Sequence, residues 1–171
     1  MEPNTPAPHP TSARPLHPDL QAFLRAGLSI HVGGRTAQGL PLLNRGIAVQ
    51  VTAAQQLSVL LPTPTAMALL DALREVPLVA VVLCQPSNHH TVQIKGRDAL
   101  VAPASVQDWP HRLAHKQRFT DEIRRFGFDD TFASAWLDVR TDQMHSVTFT
   151  PCGAWNQTPG PGAGRPMELF A

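Results

Sequence analysis

One stretch, Leu57–Glu75, changes its hydrophobic period halfway and so predicts two kinds of element in direct succession. Its first part, Leu57–Leu61, is a short apolar run typical of a strand, and Ala66–Glu75 has apolar residues at helical spacing. Free backbone N–H groups and the helix dipole favour an anion where such a helix begins. The stretch therefore predicts a strand, a turn at Pro62–Thr65 and a helix, with either an anion site or a simple capped end at the junction.

Two threonines of that turn are candidates to cap the helix. The hydroxyl of Thr63 or Thr65 can accept a hydrogen bond from the first backbone N–H groups, and Pro64 suits the first helical turn. A capping role and a ligand-binding role both fit these residues.

Arg45 is the second candidate anion contact. The predicted strand Leu42–Thr52 alternates, and period two places Arg45 in phase with Ile47 and Val49, on the apolar face. A guanidinium that is removed from water keeps its positive charge at neutral pH, so burying it is costly unless the charge is paired. We expect a distant carboxylate, an anionic ligand or a strand-end bulge that returns the side chain to water.

Further strand and helix patterns define the fold class. A capping box at Ser105 and Asp108 opens a predicted helix over 106–126, with Trp109, Leu113, Ile123 and Phe126 as its buried stripe. Helical signals are too sparse for a parallel sheet, so we predict a mainly β protein with helices, a six-stranded antiparallel split β-barrel. The remaining predicted strands are Leu28–Gly33, Pro77–Leu83, Thr91–Arg97 and Met144–Thr150.

The composition of the chain limits its domain organisation and the classes of partner that it can bind. The 171 residues suit one domain, predicted at 19–152, between a Pro-rich flexible tail at 1–18 and an irregular C-terminal tail at 153–171. A formal net charge of +1 gives no reason to expect nucleic acid, and no apolar run reaches membrane-spanning length. We expect a cytoplasmic protein in which Cys84 and Cys152 are buried free thiols.

Other chemical patterns are weak. His111 and His115 have helical i, i+4 spacing, but no third metal ligand accompanies them, and His89 and His90 fall in a predicted turn. Phosphate-loop, dinucleotide-binding and serine-nucleophile motifs are absent. We therefore assign no metal ligand and no catalytic residue, and expect a binding site for something anionic and flat.

The order of the strand motifs resembles the flavin-binding split-barrel family named after pyridoxamine 5′-phosphate oxidase. The similarity covers most of residues 20–151, and the joint order of the motifs is more specific than any one of them. The segments that carry it are Leu28–Gly33, Asn44–Gly46, Leu57–Pro62, Pro77–Val82 and Thr91–Gly96.

The resemblance implies a homodimer with FMN in a groove at the subunit interface and a flavin-dependent redox reaction on an unidentified small molecule. Arg45 and Thr65 would hold the phosphate, and the Leu60-Leu61 strand end would lie near the isoalloxazine ring. The full set of cofactor-binding residues implied in this way is Arg45, Gly46, Leu60, Leu61, Thr63, Thr65, Thr91 and Gln93.

The sequence also departs from the oxidase. Gln50, Ala66 and Met67 stand where the oxidase has basic residues, so we expect weaker FMN binding, by about 1.5–3 kcal/mol for each charged hydrogen bond missing. We do not predict pyridoxamine phosphate as the substrate. The alternatives are a non-enzymatic split-barrel module that binds haem or another small ligand, and a cofactor-free dimer in which Arg45 pairs with an internal carboxylate.

Overall fold

The described chain folds into two antiparallel sheets with four α-helices packed around them. The computed structural model describes residues 14–171. Within that range the strands are β1 Ser29–Arg35, β2 Pro41–Gly46, β3 Ala48–Val51, β4 Leu57–Pro62, β5 Val79–Cys84, β6 Thr91–Gly96, β7 Leu100–Pro103, β8 Met144–Phe149, β9 Pro151–Asn156 and β10 Pro166–Met167, and the α-helices are α1 Pro18–Leu24, α2 Thr63–Glu75, α3 Trp109–Arg124 and α4 Asp130–Leu137.

The six-stranded sheet has the order β10-β9-β6-β5-β1-β2, and the four-stranded sheet has the order β3-β4-β8-β7. The chain passes between them at Ile47, whose backbone N–H donates to the carbonyl of Leu60 across 2.8 Å. What the alternating pattern predicted as one strand is thus two strands with a bend between them. The mainly β, antiparallel architecture is confirmed, whereas the described residues form two sheets of six and four strands rather than one six-stranded barrel.

The main core lies between the inner faces of the two sheets. Val32, Val81 and Ile94 of the large sheet are completely buried there, together with Val59 and Leu61 of the small one. Helix α2 adds the buried residues Leu69, Leu70 and Leu73 to the same core. Leu28, Ile30 and Val32 alternate in the first predicted strand, and all three are buried in this core.

A second, smaller core lies under α3 and α4. Ala48 and Leu60 on the outer side of the small sheet pack there with Phe119, Ile123 and Leu137. The predicted capping box is confirmed, since Ser105 N donates to Asp108 Oδ2 and the Ser105 hydroxyl accepts from Gln107 N. The predicted buried stripe is confirmed at Ile123 and wrong at Trp109, Leu113 and Phe126, which are 40%, 46% and 53% exposed.

Both predicted tails need correction. The segment 153–171 is not irregular throughout, because β9 pairs with β6 in the large sheet and β10 pairs with β9. Near the other end, Leu16 is fully buried and forms a β-bridge with Phe170, although it falls within the predicted flexible tail. Residues 1–13 of that tail lie outside the described residues.

The two cysteines are free thiols, as predicted, but Cys152 is exposed and Cys84 is partly buried. Their positions at the outer face of the large sheet explain the exposure. Within residues 14–171, no helix has the length and apolar character needed to span a lipid bilayer.

Candidate site on the outer face of the large sheet

Arg45 lies on the face of β2 that points away from the main core. Its neighbour Asn44 pairs with the fully buried Val32, so Asn44 is on the inner side and Arg45, opposite His31, is on the outer side. The prediction that Arg45 shares a face with Val49 was wrong, because the bend at Ile47 interrupts the alternation. The alternation of side chains between the two faces of a strand does not continue across a bend, and nothing in the sequence marks this bend.

The guanidinium of Arg45 is nevertheless shielded from water by aromatic rings. Its carbon lies 4.0 Å from the centroid of Trp136 on α4 and 5.6 Å from that of Phe119 on α3. The Nε atom is buried and has no hydrogen-bond partner, and Arg45 makes no ion pair with any carboxylate of residues 14–171. Burial lowers the pKa of Arg45, but an arginine remains charged at neutral pH. The site therefore holds a partly desolvated cation without a neutralising anion.

His31 extends this site along the sheet. It is partly buried directly opposite Arg45, and its ring makes no hydrogen bond with residues 14–171. Burial and then the charge of Arg45 lower the pKa of His31, so that its imidazole is neutral at pH 7. A neutral imidazole has one nitrogen lone pair available to a ligand.

A row of side chains continues across the sheet from Arg45 and His31. The strand register places Val82, Gln93 and Trp155 next in line, all on the same outer face and all partly buried. Three strand spacings separate Arg45 from Gln93, or about 14 Å. The fold thus places Arg45 and Gln93, two cofactor-binding residues implied by the family resemblance, on one open surface.

Beside this row the outer face forms an open groove of about 1030 Å³. Small residues line its centre, with Gly33 opposite Ala80 in the register, whereas Leu43 at one edge is 69% exposed. Lys95 Nζ lies 4.6 Å from the centroid of the Trp155 ring at the other edge. Arg35 and Arg97 add positive charge, so the groove combines an apolar surface with a basic rim.

Comparisons with known proteins identify the architecture. No protein-family model and no curated protein matches the sequence. Among solved structures, an F420 reductase has 14% identity and a TM-score of 0.52, covering 78% of this chain and 94% of its own. A candidate pyridoxamine 5′-phosphate oxidase of Lactobacillus delbrueckii has 12% identity, a TM-score of 0.51 and coverage of 82% and 93%. HupZ of Group A Streptococcus has 7% identity, a TM-score of 0.50 and coverage of 85% and 97%.

The chain has the pyridoxamine 5′-phosphate oxidase-like split-barrel fold. Agreement over nearly the whole length of structures that differ so much in sequence is evidence about the fold. The roles of individual residues in this split barrel depend on its own geometry.

The start of α2 is built differently from the prediction. The helix begins at Thr63 rather than Ala66, its N-cap residue is Pro62, and no side chain of the described residues caps it. The hydroxyl of Thr63 lies 2.8 Å from His145 Nδ1, and that of Thr65 donates to the Pro62 carbonyl across 3.4 Å. The predicted threonine caps are therefore wrong.

Asn44, rather than Arg45, makes the contact with this helix end. Its Nδ2 donates to the Thr65 carbonyl across 2.7 Å, which links the edge of the large sheet to the first turn of α2. Ala66 is fully buried and Met67 is 47% exposed. The structure thus brings Arg45 against α4, and brings Thr65 against Asn44.

Leu60, Leu61 and Gly46 are enclosed by the protein. Leu60 is 2% exposed under α3 and Leu61 is fully buried in the main core. A Cβ added to Gly46 would lie 2.5 Å from Ile30 Cγ2, so the absence of a side chain lets β1 and β2 pack closely. Packing accounts for all three residues without a ligand.

Thr91 lies at the start of β6, two residues from Gln93 and on the same outer face. Its hydroxyl donates to the His89 carbonyl across 2.8 Å, and its backbone N–H donates to the hydroxyl of Thr158. The hydroxyl oxygen of Thr91 retains acceptor capacity toward a ligand.

The histidine pairs do not converge on one point. His115 is 1% exposed and its Nε2 lies 2.9 Å from the Leu28 carbonyl, whereas His111 is exposed. His90 packs against Phe23, with a centroid separation of 4.6 Å. No group of three or more His, Cys, Asp or Glu side chains within residues 14–171 is arranged to hold a metal ion.

Sequence reasoning missed the aromatic side of the site. Trp136 was not a candidate site residue, and its contact with Arg45 joins residues that are far apart in the sequence. Trp155 was placed in the irregular tail, but its strand brings it into the row with Gln93. No local pattern marks either position, because each contact depends on how separate elements pack.

Proposed function

We propose that this split barrel binds FMN and performs a flavin-dependent redox reaction on a small molecule. The observation that carries the proposal is the unneutralised Arg45, whose buried Nε has no partner, at one end of the open row that leads to Gln93. Arg45 would bind the cofactor phosphate by charge-assisted hydrogen bonds, and Gln93 with Thr91 would offer hydrogen bonds to the ring.

Part of the implied residue set fits this cofactor and part does not. Arg45, Thr91 and Gln93 share an accessible face, whereas the side chains of Leu60 and Leu61 are enclosed. We therefore assign the ring region to the surface around Val82 and Gln93. Thr63 and Thr65 lie at the first turn of α2, where Thr65 is exposed and remains a candidate for the phosphate.

The redox chemistry would come from the flavin, which accepts and donates electrons when it is bound. The residues of the chain would bind and orient it and keep positive charge beside its phosphate. No acid or base on the outer face is assigned a catalytic role.

A second copy of the chain is the partner that fits this surface best. Leu43 and Leu78 are 69% and 38% exposed beside the groove, and apolar area of this kind favours a protein contact. A homodimer formed through this face would cover the row from Arg45 to Trp155 and exclude water from the cofactor. Proteins named F420 reductase and pyridoxamine 5′-phosphate oxidase among the structural matches are consistent with cofactor chemistry on this fold.

The test is a titration of the purified protein with FMN. We expect absorption near that of protein-bound flavin, at about 450 nm, and at least a tenfold loss of affinity in Arg45→Ala, equivalent to about 1.4 kcal/mol. Arg74→Ala is the matched control, because Arg74 is exposed on α2 and paired with Asp71. A wild-type protein that ignores FMN, or equal losses in both variants, would contradict the proposal.

A second candidate function is a non-enzymatic module that binds haem. The observation in its favour is His31, a neutral imidazole with no hydrogen-bond partner in residues 14–171, beside a cation that suits a propionate. Haem titration should then produce a Soret band that His31→Ala abolishes. A flavin spectrum with no response to haem would decide for the first proposal.

A further inference from the structure

A small polar cavity of about 230 Å³ lies between α1, β3 and α3. Five polar or charged side chains contribute to its lining: Gln21, Arg25, Gln50, His111 and Arg118. The volume is below the range typical of sites for drug-sized ligands. A small ligand with a concentrated charge fits it better than a flavin does.

The two arginines of this cavity have no carboxylate partner within residues 14–171. Neither Arg25 nor Arg118 makes an ion pair there. Asp108 contacts the lining through a different residue, since it accepts a hydrogen bond from Gln50 Nε2 across 3.2 Å. The cavity therefore has an excess of positive charge.

Two other arginines of α3 behave differently. Arg112 bonds to Asp138 across 3.0 Å, and Arg124 bonds to Asp121 and Asp130 across 2.9 and 2.6 Å. Outside the cavity the helix thus neutralises arginines with its own neighbours. Inside the cavity, Arg118 of the same helix has no acidic partner within residues 14–171.

Buried nitrogen atoms mark the same side of α3. Arg118 Nε is buried and has no hydrogen-bond partner among residues 14–171, and the same is true of Nδ1 of His115, one turn earlier on the helix. Buried polar atoms in folded proteins are nearly always paired, so each unpaired one calls for an explanation. Burial first, and then the charges of Arg118 and Arg45, lower the pKa of His115 to about 4. The two charges that lower this pKa both belong to arginines.

We propose that the cavity is a binding site for a phosphate-sized oxyanion, held by the guanidinium groups of Arg118 and Arg25 with His111 at its edge. Guanidinium forks match the geometry of phosphate oxygens, and an anion there would supply the charge that the protein lacks. The ligand is inorganic phosphate or the phosphate end of a small phosphomonoester. This site is separate from the proposed FMN site and does not depend on it.

Calorimetric titration of the full chain with inorganic phosphate, and separately with glycerol phosphate, tests the site and distinguishes the two sources. We expect Arg118→Gln to bind the preferred ligand at least tenfold more weakly and Arg118→Lys to recover part of the affinity. Arg124→Gln is the control on the same helix and should bind as wild type does. Binding of neither ligand, or equal losses in the two glutamine variants, would overturn the proposal.

Arg45→Ala separates this site from the flavin site. Phosphate binding should survive in Arg45→Ala and fail in Arg118→Gln, whereas FMN binding should show the reverse. Phosphate binding that depends on Arg45 and not on Arg118 would overturn the proposal and leave the flavin proposal standing.

An NMR titration of His115 provides a readout that a loss of packing would not reproduce. A bound anion stabilises the imidazolium, so saturating phosphate should raise the pKa of His115 from about 4. Phosphate that binds without moving this pKa would lie elsewhere, and that result would also overturn the assignment.

Discussion

The guanidinium of Arg45 stacks on the indole of Trp136 at 4.0 Å and so joins the edge strand β2 to helix α4. A comparable pair lies on α3, where Arg112 is 4.7 Å from the Trp109 ring. Arg112 also donates to the Leu137 carbonyl and to Asp138, whereas Arg45 contacts aromatic rings and no acid within residues 14–171. The contrast supports the proposal that Arg45 binds an anionic ligand, whereas its hydrogen bonds make Arg112 part of the scaffold.

Replacing Arg45 by an apolar residue of similar length should not destabilise the ligand-free protein. The desolvated, unpaired charge lowers stability, and the stack on Trp136 offsets this by about 0.5–1 kcal/mol. We expect the free energy of unfolding of Arg45→Met, measured by urea denaturation without ligand, to equal that of wild type or exceed it by up to about 1 kcal/mol. A clear loss of stability would show that Arg45 has a structural partner.

Removing the indole of Trp136 should weaken the contact between β2 and α4. We expect Trp136→Ala to lower the free energy of unfolding by about 1 kcal/mol and Trp136→Phe to lower it by less, because a phenyl ring still offers a π-face. A double-mutant cycle of Trp136→Ala with Arg45→Met should give a coupling energy of about 0.5–1 kcal/mol. The same cycle for Trp109 and Arg112 is the reference, and zero coupling at Trp136 would contradict the stacking interpretation.

Gly46 should tolerate no side chain. Its added Cβ would meet Ile30 Cγ2 at 2.5 Å and Val59 Cγ1 at 3.1 Å, both in tightly packed surroundings. We expect Gly46→Ala to cost about 1–3 kcal/mol of stability, measured by chemical denaturation. Gly33→Ala on the outer face is the control, since its nearest contact would be 3.7 Å, and similar effects in the two variants would refute the packing argument.

His115 should make the protein less stable as the pH falls. Its pKa is about 4 in the folded state and 6.5 ordinarily, so below pH 6.5 the unfolded chain binds the extra proton. Above pH 6.5 the neutral imidazole of His115 adds at most about 3 kcal/mol to the free energy of unfolding, relative to the same protein at low pH. This contribution is lost as the pH falls from 6.5 to 4. His31 acts in the same direction, so the difference between wild type and a variant isolates His115.

The measurement is urea denaturation at several pH values in that range. His115→Gln should show a shallower fall of unfolding free energy with decreasing pH, and His111→Gln, exposed on the same helix, should follow wild type. Burial raises the pKa of Glu122, but hydrogen bonds to Ser87 and Gln85 outweigh it and the pKa is lowered overall; a hydrogen bond to Lys116 lowers the pKa of Asp138. Both carboxyls also destabilise the fold at the acid end of the range, and they are common to the two variants. Identical pH profiles for the two variants would contradict the assignment.

Local patterns in the sequence predicted what depends on near neighbours. Ser105 with Asp108 identified a capping box, and the structure contains its hydrogen bonds. The predicted strand Thr91–Arg97 contains β6, and its alternating apolar residues Val92 and Ile94 are both fully buried. Each of these features involves residues within one turn of helix or one strand.

The buried face of α3 was predicted less well, for a physical reason. Periodicity assigns the apolar residues to the inside, but Arg112 and His115 are 3% and 1% exposed, while Leu113 is 46% exposed. Arg112 donates to the Leu137 carbonyl and His115 bonds to the Leu28 carbonyl. Polar side chains can be buried where distant backbone groups satisfy them, and those groups are not visible along the helix.

The sequence by itself determined the antiparallel, mainly β class and the strand-to-helix change after Leu57, and it marked one arginine, Arg45, as a candidate anion contact. Only the tertiary structure decided where that arginine points, because the bend at Ile47 moves the chain from one sheet to the other and resets the alternation. It also decided which residues surround Arg45, since Trp136 reaches it from a helix distant in the chain. Side-chain alternation is a property of one continuous strand, whereas a binding site is made by packing between elements.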